Sequence, residues 1–225
     1  AQYHTDNTSF SYVSDSDELK KFNAISGASY YIGREGVEFY PQEVFLFRIA
    51  ENMPTYEDKI YLENYQNHKS KYKIPKQTIL LEKKFLHPLV KGVNIEKFSL
   101  NFDKKNQFII PFPYTNADTR LPLGISELTK QAPLLAKYLN SMRSVLEEQT
   151  EYNSRIIGKQ EQPFYALARV GSYSFADNYV AFRDNTKWQS SVVSGIETDW
   201  GGLKRPQFQN HAVSISEDKD GNPIS

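Results

Sequence analysis

The stretch from Pro163 to Val193 reads PFYALARVGSYSFADNYVAFRDNTKWQSSVV. Aromatic and branched residues recur in it at short intervals (Phe164, Tyr165, Leu167, Val170, Tyr173, Phe175, Tyr179, Val180, Phe182), which suits strands rather than a helix. Gly171 falls where a strand has to turn, so the stretch predicts a β-hairpin or a pair of crossing strands. Its polar members are Arg169, Ser172, Tyr173, Ser174, Asn178, Arg183, Lys187 and Trp188. Cations, amphipathic aromatics and small hydrogen-bonding groups mixed in this way are common on surfaces that contact nucleic acid. The same residues also describe an ordinary sheet with outward polar side chains.

Working outward, 225 residues are enough to bury a substantial core, as one large domain or two small ones. The 27 Lys and Arg balance the 27 Asp and Glu, so a polyanionic partner would have to be met by a local patch. With no cysteine, disulfides and cysteine-based metal sites or nucleophiles are excluded, which fits a cytoplasmic bacterial protein or a disulfide-free exported one. No apolar run approaches the roughly 20 residues of a membrane helix, and no membrane partner is expected. The chain opens on Ala1 and not Met, which predicts an excised fragment: a polar lead-in over 1–24, a domain over 25–215 and a polar tail over 216–225.

In Ile25 to Ala50, two apolar runs flank Gly33-Arg34-Glu35-Gly36, and the glycines predict a hairpin with Arg34 at its tip. An Arg so placed can fork onto a guanine edge or a phosphate; it can equally be a solvated turn charge. Asn67 to Lys97 holds Lys69, Lys71, Lys73, Lys76, Lys83, Lys84, Lys91 and Lys97 against Glu82 and Glu96, a cationic segment inside a neutral chain. Phosphate tracking requires such an asymmetry, although a lysine-rich solvated face has the same composition. Within it, Glu82-Lys83-Lys84 after an apolar run has the Glu-x-Lys spacing of the metal-binding half of restriction-nuclease sites, with Asp58 the available companion. Asn106 to Tyr114 predicts an edge or terminating strand stopped by Pro111 and Pro113. From Pro133 to Gln149 a long amphipathic helix is predicted, with Leu134, Leu135, Tyr138, Leu139, Met142, Val145 and Leu146 on one stripe. The fold class expected is therefore α+β, a mixed sheet with that helix packed on it.

No nucleotide-binding glycine loop, Gly-x-Ser-x-Gly or His-Glu-x-x-His is present, and His4, His68, His87 and His211 are too scattered to suggest a metal site. Taken in order, several motifs resemble the target-recognition region of adenine-N6 DNA methyltransferases of bacterial restriction-modification systems. They are Gly33-Arg34-x-Gly36-Val37, Leu81-Glu82-Lys83-Lys84-Phe85-Leu86-x-Pro88-Leu89-Val90-Lys91-Gly92, Ile109-Ile110-Pro111-Phe112-Pro113-Tyr114, Tyr138-Leu139, and Phe164-Tyr165-Ala166-Leu167-x-Arg169-Val170-Gly171-x-Tyr173-x-Phe175-Ala176. The chain looks most like the fused type II restriction-modification polypeptides, over roughly Gly33 to His211. The family's Asn-Pro-Pro-Tyr type motif and its S-adenosylmethionine loop are absent from this sequence.

The resemblance implies a DNA-binding recognition module that is not itself an enzyme and holds no cofactor. Its partners would be double-stranded DNA and the methyltransferase domain of the same parent chain, in the cytoplasm. The parent would be an S-adenosylmethionine-dependent adenine-N6 methyltransferase with or without a fused endonuclease. Methylating adenine N6 requires the base to be flipped while another surface holds the flanking duplex. Lys69, Lys71, Lys73, Lys76, Lys83, Lys84 and Lys91 are the expected backbone contacts, and Arg34, Arg169, Tyr173, Arg183 and Lys187 the expected base or groove contacts. Two other readings stand beside it: an extracellular module binding glycan or protein, and a metal-dependent nuclease using Glu82 and Lys84.

Overall fold

Residues 59–64, KIYLEN, show how the chain builds its larger sheet: Ile60, Leu62 and Asn64 are buried on one face, while Lys59, Tyr61 and Glu63 are half-buried on the other. The computed structural model describes residues 2–4, 10–12, 17–18, 20–21, 29–103, 105–115, 117, 120–148, 162–183 and 189–224. Its strands are β1 (Gln2–His4), β2 (Phe10–Tyr12), β3 (Tyr31–Glu35), β4 (Phe47–Ile49), β5 (Lys59–Asn64), β6 (Thr78–Glu82), β7 (Leu86–Val90), β8 (Ile95–Glu96), β9 (Ser99–Leu100), β10 (Ile109–Pro111), β11 (Tyr179–Arg183), β12 (Ser190–Val193), β13 (Ile196–Thr198), β14 (Gly202–Lys204), β15 (Gln207–Phe208) and β16 (Ala212–Asp218). The helices are α1 (Gln42–Phe45), α2 (Ile125–Gln131) and α3 (Pro133–Ser141), and residues 143–148 are helical as well.

The fold is α+β with a mixed sheet. Six strands run in the order β15-β7-β10-β4-β5-β6, antiparallel except where β15 lies parallel to β7. A second, antiparallel sheet has the order β12-β11-β16-β3, and short two-stranded ribbons join β1 to β2, β8 to β9 and β13 to β14. The main core gathers Leu46, Phe47, Leu62, Leu81, Leu86, Ile109 and Ile110 from the first sheet region with Leu128, Leu135 and Leu139 from the helices. A smaller core, Val90, Ile95, Tyr179, Ala181, Val193, Phe208 and Ala212, lies under the second sheet.

Three expectations change. Residues 163–193 are a hairpin only in their second half, where Tyr179 pairs with Val193 and Phe182 with Ser190; the connection over 184–188 lies outside the described residues. Phe164 to Ala168 are buried without alternation, and Ser172–Phe175 form a 3-10 turn. The apolar richness of Phe164 to Ala168 therefore reflects burial on all sides and not a strand face.

Gly33 and Arg34 do not cap a hairpin. They lie inside β3, whose partner is β16 almost two hundred residues later. Gly36 is required by a close approach: a Cβ there would stand 2.0 Å from the Phe208 carbonyl oxygen, and the Val37 N–H donates to that same oxygen at 2.6 Å.

The long helix is divided. α3 ends at Ser141, Met142 sits at φ −97° and ψ 7°, and a second helical segment covers 143–148; Gln149 lies outside the described residues. The Ser141 hydroxyl donates to the Tyr138 carbonyl at 2.6 Å, while the Met142 N–H turns to the Leu139 carbonyl at 3.1 Å, so the regular ladder is lost there. The apolar stripe survives the break: Leu135, Tyr138, Leu139 and Leu146 are buried. α2 begins within a stretch for which the sequence had suggested no element.

β10 ends at Pro111 as a terminating strand, as expected, with β7 and β4 on its two sides.

His87 in β7 supplies a pH-dependent part of the stability. Its ring packs edge-on to Phe112 at 5.7 Å, and Nδ1 lies 2.9 Å from the Arg205 carbonyl oxygen, to which the Nδ1-protonated neutral ring donates. Burial pushes its pKa down from 6.5 to about 4. As pH falls between those values the unfolded chain takes up a proton that the folded chain refuses, so stability is full above about 6.5 and falls towards about 4. The loss is about 2 to 3 kcal/mol. Urea midpoints measured from pH 7 to pH 4 should fall more steeply for the wild type than for His87→Asn, which keeps a donor without the titration. Parallel curves would refute this.

Candidate nucleic-acid interface

Lys69, Lys71 and Lys73 stand on the loop between β5 and β6 and reach solvent. Lys69, Lys71 and Lys73 are exposed; between and after them Ser70 and Ile74 are buried and Tyr72 is half-buried. The loop is pinned at its base by the buried Asn64, whose amide donates to the Glu43 carbonyl at 3.2 Å and the Pro75 carbonyl at 3.1 Å while its oxygen accepts the Gln77 N–H at 2.8 Å. Ser70 reinforces the bend, its hydroxyl accepting the Tyr72 N–H at 3.2 Å. Three ammonium groups are thus presented on an anchored ridge. The Tyr72 ring meets Tyr40 edge to face at 5.5 Å. Tyr40 in turn ends the segment that begins with β3 and Arg34.

At the other end of that segment three of the expected base-contact residues converge. Arg34 lies over the Tyr173 ring, 5.4 Å from its centroid, and its Nη2 and Nε reach Glu217 Oε1 at 3.2 and 3.4 Å. The Tyr173 hydroxyl donates to the Arg169 carbonyl at 2.7 Å. Arg169 pairs through Nε with Glu38 at 3.1 Å and through Nη1 with Glu35. Gly171 makes room for the ring, since a Cβ there would sit 2.5 Å from Tyr173 Cε1. Burial raises the Tyr173 pKa, and the neighbouring Arg34, Arg120 and Arg169 charges oppose the rise, so the phenol stays a neutral donor at pH 7.

Arg169 has a left-handed backbone. Among the described residues the non-glycine positive-φ positions are Asn52, Phe98, Arg120 and Arg169, and the last belongs to this cluster. Holding Arg169 at φ 60° costs of order 1 kcal/mol, which the Tyr173 and glutamate contacts offset.

The remaining expected contacts are dispersed. Lys76 is ion-paired with Glu63 at 2.9 Å. Lys83 donates to the Tyr56 and Glu57 carbonyls at 2.7 and 3.0 Å, and Lys84 to Gln131 Oε1 at 2.7 Å, so both brace the fold. Lys91 is half-buried against Phe108. Arg183 ends β11 on the side of β16 away from Arg34, its chain against Gly92. Lys187 lies outside the described residues.

Glu82 is engaged structurally. Its two carboxylate oxygens accept the N–H groups of Leu134 and Leu135 at 2.8 and 3.0 Å, capping the start of α3 from a distant strand. Asp58 is bound to Lys59 at 2.9 Å. The pair therefore does not form the open carboxylate site that the Glu-x-Lys spacing suggested. Among the described residues no group of three or more His, Asp or Glu is placed to hold a metal ion.

Sequence reading missed Glu35, Glu38 and Glu217 as partners of the arginines, and Arg120 beside Tyr173. No local pattern announces them, because the pairing of Arg34 with Glu217 bridges the whole domain. No protein-family model matches the chain, and no curated protein matches it. No helix among the described residues is long and apolar enough to cross a membrane.

Proposed function

We propose that the chain is a DNA sequence-recognition module, of the kind found in restriction-modification adenine-N6 methyltransferases. It would bind duplex DNA and position the target adenine for a catalytic domain outside this chain. The observation that carries the reading is the arrangement of cations about the segment 34–40: the exposed Lys69-Lys71-Lys73 ridge reached through the Tyr40–Tyr72 contact at one end, and the Arg34-Tyr173-Arg169 cluster at the other. Residues 34 to 40 span at most about 20 Å at about 3.3 Å per residue, which is about six base-pair steps. The ridge would take phosphates and the cluster would enter a groove.

The glutamates are compatible with base contact. A guanidinium carries five N–H donors; Arg34 commits Nε and Nη2 to Glu217, and Arg169 commits Nε and Nη1, leaving Nη1 of Arg34 and Nη2 of Arg169 to point elsewhere. Carboxylates that fix the fork before DNA arrives reduce the ordering cost of binding.

The test separates base from phosphate contacts. Arg34→Ala or Arg169→Ala should cost about 1 to 3 kcal/mol on the preferred site and little on random duplex. Gel-shift titration of the parent protein, which carries both DNA-facing domains in this reading, measures both. Equal losses on specific and random DNA would assign these arginines to the backbone; no loss on either would remove the cluster from the interface.

A further inference from the structure

A second cationic feature is built on the six-stranded sheet by three of its strands. β10 lies between β4 and β7, and Phe108, the residue before β10, sits between Arg48 of β4 and Lys91, the residue after β7. Both cations use its ring: the Arg48 Cζ is 4.7 Å and the Lys91 Nζ 4.5 Å from the centroid. Tyr65 closes the side, its ring 5.5 Å from Lys91 Nζ and 6.0 Å from Phe108.

Among the described residues no carboxylate is ion-paired with either cation. The acid opposite Arg48 in the sheet, Glu63, is held by Lys76 at 2.9 Å. Burial and then the Arg48 charge hold the Lys91 pKa below its ordinary value, so the folded chain bears a cost for keeping this ammonium charged at pH 7. A cation–π contact favours one cation, but a second like charge beside it is repulsive. An oxyanion bound by the N–H donors of both would relieve that repulsion, and Arg48 is exposed and reachable.

We propose that Arg48 and Lys91 form a phosphate site on this sheet face, which takes a phosphodiester of the DNA backbone beyond the Lys69-Lys71-Lys73 ridge. The identity of the phosphate as DNA rests on the recognition reading above; the oxyanion site does not. The ligand chemistry is shared with free phosphate, so the experiment has two arms, the first on the 225-residue chain and the second on the parent protein. In the first, thermal melts are recorded in chloride and in inorganic phosphate at matched ionic strength, for wild type and for Arg48→Gln/Lys91→Met. Wild type should gain melting temperature saturably with phosphate. The double variant should melt higher than wild type in chloride, because the like-charge pair is gone, and should show no saturable phosphate gain. Equal gains in both proteins overturn the site.

In the second arm, duplex binding is followed against salt. The double variant should bind at least tenfold more weakly at low salt and lose about 1.8 from the salt slope, the value for two contacts. Loss of the phosphate response with unchanged duplex binding overturns DNA as the occupant while supporting the oxyanion site. If wild type answers phosphate but binds no duplex, the recognition reading fails and the oxyanion site stands.

Discussion

Leu139→Asp should leave the chain unfolded at 25 °C, with no cooperative transition in thermal or urea melts. Leu139 is 1 % exposed in the main core. α3 lies over the first sheet there: the Tyr138 hydroxyl donates to the Val44 carbonyl at 2.9 Å, and its ring meets Phe47 edge-on at 5.7 Å. Removing the leucine forfeits about 1.5 to 3 kcal/mol of burial, and an unpaired carboxylate in its place costs several kcal/mol more or forces the acid to stay protonated. Against a total stability of about 5 to 15 kcal/mol for a domain, the sum is decisive. Asn140→Asp, one residue on and exposed, is the control and should change little. Leu139→Asp melting within a few degrees of wild type would mean that the stripe is not core.

The triple substitution Lys69→Ala, Lys71→Ala and Lys73→Ala should weaken binding of the parent protein to specific and random duplexes alike, and flatten the salt dependence by about 0.9 per lost phosphate contact. For three contacts the change in slope is about 2.7, a loss of more than tenfold at low salt that shrinks as salt rises. Uniform weakening is the informative feature, since phosphates carry no sequence. The three side chains are exposed and their loop is held by Asn64, Ser70 and Ile74, so the variant should fold with wild-type stability. Gel-shift titrations at four or more salt concentrations give the slopes. Unchanged slopes would remove the ridge from the interface. Salt-insensitive binding of the wild type would instead favour a glycan- or protein-binding module.

Much of this arrangement is written locally. The strand Lys59–Asn64 follows from its alternation, and the exposure of Lys69, Lys71 and Lys73 follows from their charge, with Ser70, Tyr72 and Ile74 between and after them turned inward. The stripe from Leu134 to Leu146 is legible at helical spacing, and its burial survives even where Ser141 and Met142 break the ladder. Tertiary structure alone decided the rest. Gly33-Arg34-Glu35-Gly36 has the composition of a turn, yet β3 stays extended because β16 supplies its hydrogen bonds and Gly36 must pass against the Phe208 backbone. Glu82 has the spacing of a metal ligand, and becomes a helix cap because α3 begins where its carboxylate points. Arg34 and Arg169 acquire glutamates, a tyrosine and, at Arg169, a strained backbone from residues that the sequence holds far apart. Periodicity reports which side of an element is apolar, over a few residues. Which charged groups finally meet depends on how distant strands stack, and a short window of sequence carries no record of that.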